Sequence, residues 1–260
     1  MNLIKPQHIS KPFIYACMGI GNSKPDSQTE KIIEECSELV LNASQPRVVY
    51  KAFELNSIVG REQTEEVYIE NSKFKLLGSD ILLHLKGCKR CVLMAVTLGS
   101  GVDKLLRITQ IKDMAKAVVM DACASSLTED ICDQINEKLE LEYGPKGVEL
   151  ISRFSPGYGD FTLAAQDIFS GLLNMEKEIG LTQTKEHLLI PRKSVTAVIG
   201  LRDKNKSEDK EEKDKEEKDK QKKDKHDKKI DAKGDPCKIC IMNKNCSFRK
   251  SGGYCGRIKD

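Results

Sequence analysis

Arg153-Phe154-Ser155-Pro156-Gly157-Tyr158-Gly159-Asp160 concentrates unusual backbone chemistry in eight residues. Pro156 fixes its own φ, while Gly157 and Gly159 open backbone conformations closed to other residues. Such a loop can bring peptide N–H and C=O groups against a ligand with no Cβ in the way. Arg153 offers a planar fork suited to a carboxylate. Tyr158 offers a ring face and a hydroxyl. Asp160 or Thr162 is placed to cap the helix expected to follow. A ligand with one carboxylate and one flat ring suits the set, and a plain tight turn with a surface arginine accounts for the same residues.

Outward from this loop the patterns alternate between helix and strand. Upstream, Ile32, Ile33, Cys36, Leu39 and Val40 recur at helical spacing after a start near Pro25 to Ser27. Arg47 to Leu55, Val67 to Ile69, Lys73 to Leu77 and the apolar run Cys91 to Leu98 have strand character. Ile81 to Leu85 fits a helical turn or a strand. Asp113 to Leu139 is the longest helical pattern and puts Asp121 on or beside an apolar stripe, where a carboxylate needs solvent or a partner. Downstream, Ala165 to Ile179 reads as one amphipathic helix stopped by Gly180, and Ser194 to Leu201 as a buried strand. Without regular βαβ alternation, these elements predict an α+β fold with a largely antiparallel sheet and long amphipathic helices.

The 260 residues carry 43 Lys+Arg and 40 Asp+Glu, a net charge of only +3. Much of that charge is confined to residues 202–235, too poor in apolar residues to build a core and read as a solvated linker. Its interleaved signs and lack of aromatics give no nucleic-acid signal. The expected division is a body over 1–201, the linker 202–235 and a cysteine-rich segment 236–260. No run reaches bilayer-spanning length, and MNLIKPQHIS lacks the apolar stretch of a secretion signal, so the chain reads as cytoplasmic with no membrane partner.

Ten cysteines in such a chain point to thiols or metal ligands. Cys237, Cys240, Cys246 and Cys255, separated by two, five and eight residues, read as one four-thiolate site for zinc or an iron–sulfur cluster. Cys88 and Cys91 read as core-edge residues, and Cys17, Cys36, Cys123 and Cys132 as packing residues. His84 and His187 lack ligand spacing and read as structural. No catalytic triad, P-loop or paired-carboxylate motif stands out.

Taken in order, RFSPGYGD, LLNMEKEIGLTQT and IPRKSVTAVIGL resemble the activation domain of cobalamin-dependent methionine synthase. The resemblance spans roughly Ile14 to Leu201 and is specific over Arg153 to Leu201. It implies S-adenosylmethionine (AdoMet) binding by Arg153, Ser155 through its backbone, Gly157 and Tyr158, with no catalytic acid or base. The family's acidic contact on the long helix falls at Ser125, which leaves Glu129 or Asp121 to contact the ligand's amino group. The implied role is that of a free-standing subunit in a methyltransferase system. It would support reductive methylation of cob(II)alamin on a methionine synthase lacking its own activation domain, with flavodoxin or ferredoxin as electron donor. A metal-ordered scaffold and a reactivator of another corrinoid methyltransferase stand as alternatives.

Overall fold

The computed structural model describes residues 2–3, 5–6, 9–20, 25–59 and 65–204. The order of elements is β1 (Asn2–Leu3), α1 (Lys11–Cys17), α2 (Ser27–Ala43), β2 (Arg47–Val59), β3 (Glu65–Ile69), β4 (Lys75–Leu76), α3 (Ser79–His84), β5 (Arg90–Thr97), α4 (Ser100–Lys112) and α5 (Met114–Tyr143). Then follow β6 (Val148–Leu150), α6 (Gln166–Leu173), α7 (Met175–Ile179), β7 (Thr182–Gln183), β8 (Leu189–Ile190) and β9 (Ser194–Asp203), with short 3₁₀ turns at Gly144–Lys146 and Leu163–Ala165. The main sheet runs β4-β3-β2-β5-β9-β6, with β1 on the first residues of β2 and β7–β8 a separate hairpin. Every pairing is antiparallel, so the chain is α+β as expected.

Alternation along the central strands divides the interior into two layers. Val92, Met94 and Val96 of β5 and Ala197, Ile199 and Leu201 of β9 face α1, α2, α4 and α5. Cys91, Leu93 and Ala95 of β5 and Val198 of β9 face α3, α6 and α7, where Phe154, Phe161 and Phe169 complete the packing. Strands buried on both faces read as continuous apolar runs, which is why β5 lacks a polar alternation.

Helix boundaries follow local chemistry. Asp26 accepts from Gln28 N–H (2.9 Å) and Thr29 N–H (2.8 Å) to open α2. Asp113, extended at φ −155° and ψ 100°, ends α4 and caps α5 through Lys116 N–H (3.0 Å). With 30 residues, α5 runs about 45 Å along the sheet. Gly101 is required where α4 crosses the end of α2: a Cβ there would stand 2.4 Å from the Ala43 carbonyl oxygen.

Three expectations are corrected. The pattern from Ala165 to Ile179 is two helices, α6 and α7, because Asn174 adopts a left-handed conformation (φ 50°) between them. Helices α1 and α4 stand where no helix was expected. Cys17 is exposed, whereas Cys36, Cys123 and Cys132 are buried as expected, as is Cys91 with Cys88 half-buried beside it. No helix of the described residues is long and apolar enough to cross a membrane. The four C-terminal cysteines lie outside the described residues, as does nearly all of the charged linker.

Candidate functional site

The site is built where the chain leaves β6 and runs on beside β9. Ile151 N–H donates to the Gly200 carbonyl (2.9 Å), and Phe154 and Val198 exchange both backbone hydrogen bonds (2.9 and 2.8 Å). Alternation along this edge sends Phe154 into the α3/α6 layer and Arg153 toward α5. Phe154 is fully buried, with its ring centroid 4.8 Å from His84, 5.6 Å from Tyr158 and 6.1 Å from Phe161. The Tyr158 contact is edge-on at 73°, an arrangement that fixes the tyrosine ring against a buried platform. His84 donates from Nε2 to the Ser152 carbonyl (2.7 Å), and burial holds its pKa below the usual histidine value. Its role is structural, as expected.

The loop closes on itself and on α3. Gly157 (φ 97°) donates to the Phe161 carbonyl (2.7 Å), and Tyr158 N–H donates to the Ser155 carbonyl (3.1 Å). The Gly157 amide is thus occupied within the loop. Asp160 does not cap the following helix, and neither does Thr162, whose side chain makes no capping bond. Asp160 instead caps α3: its carboxylate accepts from Ser79 N–H (2.6 Å), the Ser79 hydroxyl and Asp80 N–H (2.9 Å). Asp80 returns the contact by accepting from Asp160 N–H (2.9 Å). The fit explains Gly159, which has φ 53° and whose Cβ would land 1.9 Å from Asp80 Oδ2.

These donors, the Ser79 hydroxyl first, hold the Asp160 carboxyl below its ordinary value of 3.8. A depressed folded-state pKa gives stability that is complete above the unfolded value and is lost as pH falls through the folded one. Asp160→Ala is therefore expected to lower stability by about 1 kcal/mol at pH 7, the usual effect of losing an N-cap. The difference from the parent should shrink in urea unfolding curves as pH falls below the ordinary carboxylate value of 3.8; a pH-independent difference would rule out the capping carboxylate as its cause.

Arg153 reaches a polar row on α5. Asp121, Ser125, Glu129 and Asp133 recur every four residues and so share one side of the helix. Arg153 Nη1 lies 2.8 Å from Asp133 Oδ1 and Nη2 lies 2.9 Å from Glu129 Oε2, with the arginine side chain only 12% exposed. Two of its five N–H donors are used in this way. One turn back, Lys193 Nζ sits 2.9 Å from Asp121 Oδ1 and donates to Ser125 Oγ (2.8 Å) and the Asp121 carbonyl (3.1 Å). Asp121 is half-exposed, so it has both solvent and a partner. Withdrawal from water pushes the Glu129 carboxyl up, against the pull of Arg153.

A cavity of about 300 Å³ opens beside the Asp121 end of the row, lined by Cys17, Gln110, Met114, Val118, Asp121 and Ser125 among others. Of the residues expected to bind, Arg153, Ser155, Gly157 and Tyr158 form one continuous loop. Glu129 is brought against Arg153, whereas Asp121 is held by Lys193. Sequence reasoning missed Asp133 and Lys193. The four-residue spacing from Asp121 to Asp133 was the signal that could have found the first; nothing local pointed to Lys193.

The row and loop together carry both signs of charge within one short span. Arg153 retains donors for a carboxylate, Glu129 and Asp133 can receive an ammonium, and Tyr158 supplies a ring. That set fits the zwitterionic head of an amino acid attached to a flat heterocycle. No family model matches the chain, and no curated protein does. Among solved structures, the chain is similar to one described as the crystal structure of the MetH reactivation domain bound to AdoHcy, at 16% identity and a TM-score of 0.51, covering 74% of this chain and 73% of that one. The fold implied by the sequence resemblance is therefore the fold found: this chain is similar in fold to that reactivation domain.

Proposed function

We propose that this chain binds AdoMet along the α5 row and presents its sulfonium methyl to a corrinoid carried by another protein. The observation that carries the reading is Arg153, held between Glu129 and Asp133 at the foot of the Pro156-Gly157-Tyr158 loop. The ligand's carboxylate goes to the remaining donors of Arg153 and its ammonium to Glu129. Tyr158, backed by Phe154, meets the adenine side, and the Ser155 backbone and Gly157 flank it. Asp121 is assigned to Lys193 and not to the ligand. The fold likeness supports this assignment, since the similar structure is described as bound to AdoHcy, which is AdoMet without its methyl.

The role we assign is reactivation of a methionine synthase that lacks this domain. One electron from a flavodoxin- or ferredoxin-type donor reduces cob(II)alamin, the cobalt takes the methyl, and the C–S bonding pair returns to sulfur to leave AdoHcy. The protein's task is to position the methyl, which needs no general acid or base. We assign the charged segment to a linker and Cys237, Cys240, Cys246 and Cys255 to a zinc or iron–sulfur site; metal analysis and the visible spectrum of the purified chain decide between them.

Calorimetric titration with AdoMet tests the binding step. Tyr158→Phe removes a hydroxyl and keeps the ring, so an affinity loss of about 0.5–1.5 kcal/mol is expected. Arg153→Ala should lose roughly 1.5–3 kcal/mol, tenfold or more. Absence of binding by the intact protein, even with a cob(II)alamin-loaded methionine synthase present, would overturn the reading.

A further inference from the structure

Away from the Arg153 loop, one polar cluster holds groups that the fold leaves without partners. It lies where the β7–β8 hairpin meets the first turn of α6 and contains Asp167, Gln183 and His187. Gln183 Nε2 donates to Asp167 Oδ1 (2.6 Å), and His187 Nδ1 stands 3.4 Å from the same oxygen. That second distance exceeds the roughly 2.7–3.2 Å of an N–H···O bond. His187 Nδ1 and Gln183 Oε1 are both shut off from solvent, and neither has a hydrogen-bond partner among the described residues. Burying polar atoms unpaired is costly.

The hairpin aims the histidine. Thr184 N–H donates to the Leu188 carbonyl (2.8 Å) and His187 N–H to the Thr184 carbonyl (3.0 Å). The Thr184 hydroxyl accepts from the Glu186 and Leu188 amides (3.2 Å each). His187 is held with φ 61°, a left-handed conformation uncommon outside glycine. Along the chain it has no neighbour at ligand spacing; the fold supplies Asp167 from α6 and Gln183 from β7.

Together the three offer one imidazole nitrogen, one carboxylate oxygen and one amide oxygen. With Zn–N and Zn–O bonds of about 2.0–2.2 Å in tetrahedral array, neighbouring N and O ligands stand about 3.4 Å apart. His187 Nδ1 and Asp167 Oδ1 have that separation as they stand. The Gln183 amide is fixed against the same carboxylate through Nε2, which leaves its Oε1 as the third donor. A bare ion is smaller than a water molecule, so closure against solvent does not close the cluster to a metal. An imidazole in the set favours zinc-like ions over calcium or magnesium.

We propose that Asp167, Gln183 and His187 form a binding site for a divalent transition ion of the zinc class, with water completing the shell on the exposed side of Asp167. The ion ties the hairpin to α6. Because β8 runs on into Arg192 and Lys193, it also steadies the segment whose Arg192 N–H meets Asp103 (2.7 Å) and whose Lys193 ammonium meets Asp121 (2.9 Å).

Zinc titration of the full, isotope-labelled chain, followed at the imidazole nitrogens, tests the site, because this readout separates it from the four C-terminal thiols. Once those thiols are saturated, His187 Nδ1 is expected to lose its free-imidazole signal, while His84, bonded to the Ser152 carbonyl, stays unchanged. Asp167→Asn should weaken the response at least tenfold, and Gln183→Glu, which supplies a charged oxygen, should strengthen it several-fold. Zinc should raise the melting temperature of the parent more than that of His187→Ala, a comparison that also reports whether the variant folds. An unmoved His187 Nδ1 in excess zinc, or an equal response in Asp167→Asn, overturns the proposal. A His187 signal that answers to pH and not to zinc makes the contact a plain ion pair and overturns it as well.

Discussion

Arg153→Ala is expected to destabilise the fold by about 3 kcal/mol at neutral pH, besides weakening AdoMet. The figure is the lower end of the range for removing one partner of a buried ion pair, chosen because Asp133 is 43% exposed. Without the guanidinium, Glu129 and Asp133 stand one helical turn apart and lose the charge that lies 2.9 and 2.8 Å from them. The sign of the pH dependence follows. Burial already raises the Glu129 pKa, and loss of Arg153 raises it further. A group with a raised folded-state pKa favours the native state at low pH and opposes it as pH rises through that value. The variant should therefore recover part of its deficit as pH falls through the raised Glu129 value, the recovery being complete near the ordinary carboxylate value of 4.5. Urea unfolding at pH 7 and pH 4 measures both numbers. An equal deficit at the two pH values would assign the effect to lost packing and remove the charge argument.

Phe154→Ala is expected to cost more, about 3–5 kcal/mol, the range for emptying a buried aromatic site. The ring has no solvent exposure and touches His84, Tyr158 and Phe161, so its loss leaves a void at the junction of loop, α3 and sheet. At roughly 2–4 °C per kcal/mol for a body of this size, the melting temperature should fall by about 10 °C. Tyr158 loses the platform that fixes its ring, so AdoMet affinity should fall although residue 154 touches no ligand. Phe154→Leu, which refills most of the volume, should cost only about 1–2 kcal/mol and restore most of the affinity. If both variants melt alike, the site relaxes freely and the platform has no special role.

Much of this was legible in the chain. The apolar run of β5, the β-branched β2 and β9 and the long stripe of α5 predict the antiparallel sheet and its principal helix. The Arg153 loop declares itself through Pro156, Gly157 and Gly159. The less legible parts have identifiable reasons. Helix α4 buries only Val102, Leu106 and Thr109 and turns Ile108 and Ile111 to solvent, so its periodicity is blurred. The break between α6 and α7 depends on a single left-handed Asn174. Lys193 finds Asp121, and Asp160 finds Ser79 and Asp80, only after the sheet has brought distant segments together. A local pattern cannot report a partner that tertiary structure supplies.

The Asp160 contact with α3 has a bearing on how the site comes into being. Its partners lie 80 and 81 residues earlier in the chain, and the other end of the loop is fastened to β9 through Val198. Neither fastening exists until the whole body has assembled, because closing such long segments is favourable only once the sheet rewards it. A peptide spanning residues 150–162 would hold every side chain of the motif and none of its geometry. In the assembled protein the relation runs the other way. The loop is clamped at both ends before any ligand arrives, so little ordering entropy opposes binding. Its amides at Phe154 and Gly157 should then exchange with solvent on the timescale of global unfolding, unlike those of an ordinary surface turn.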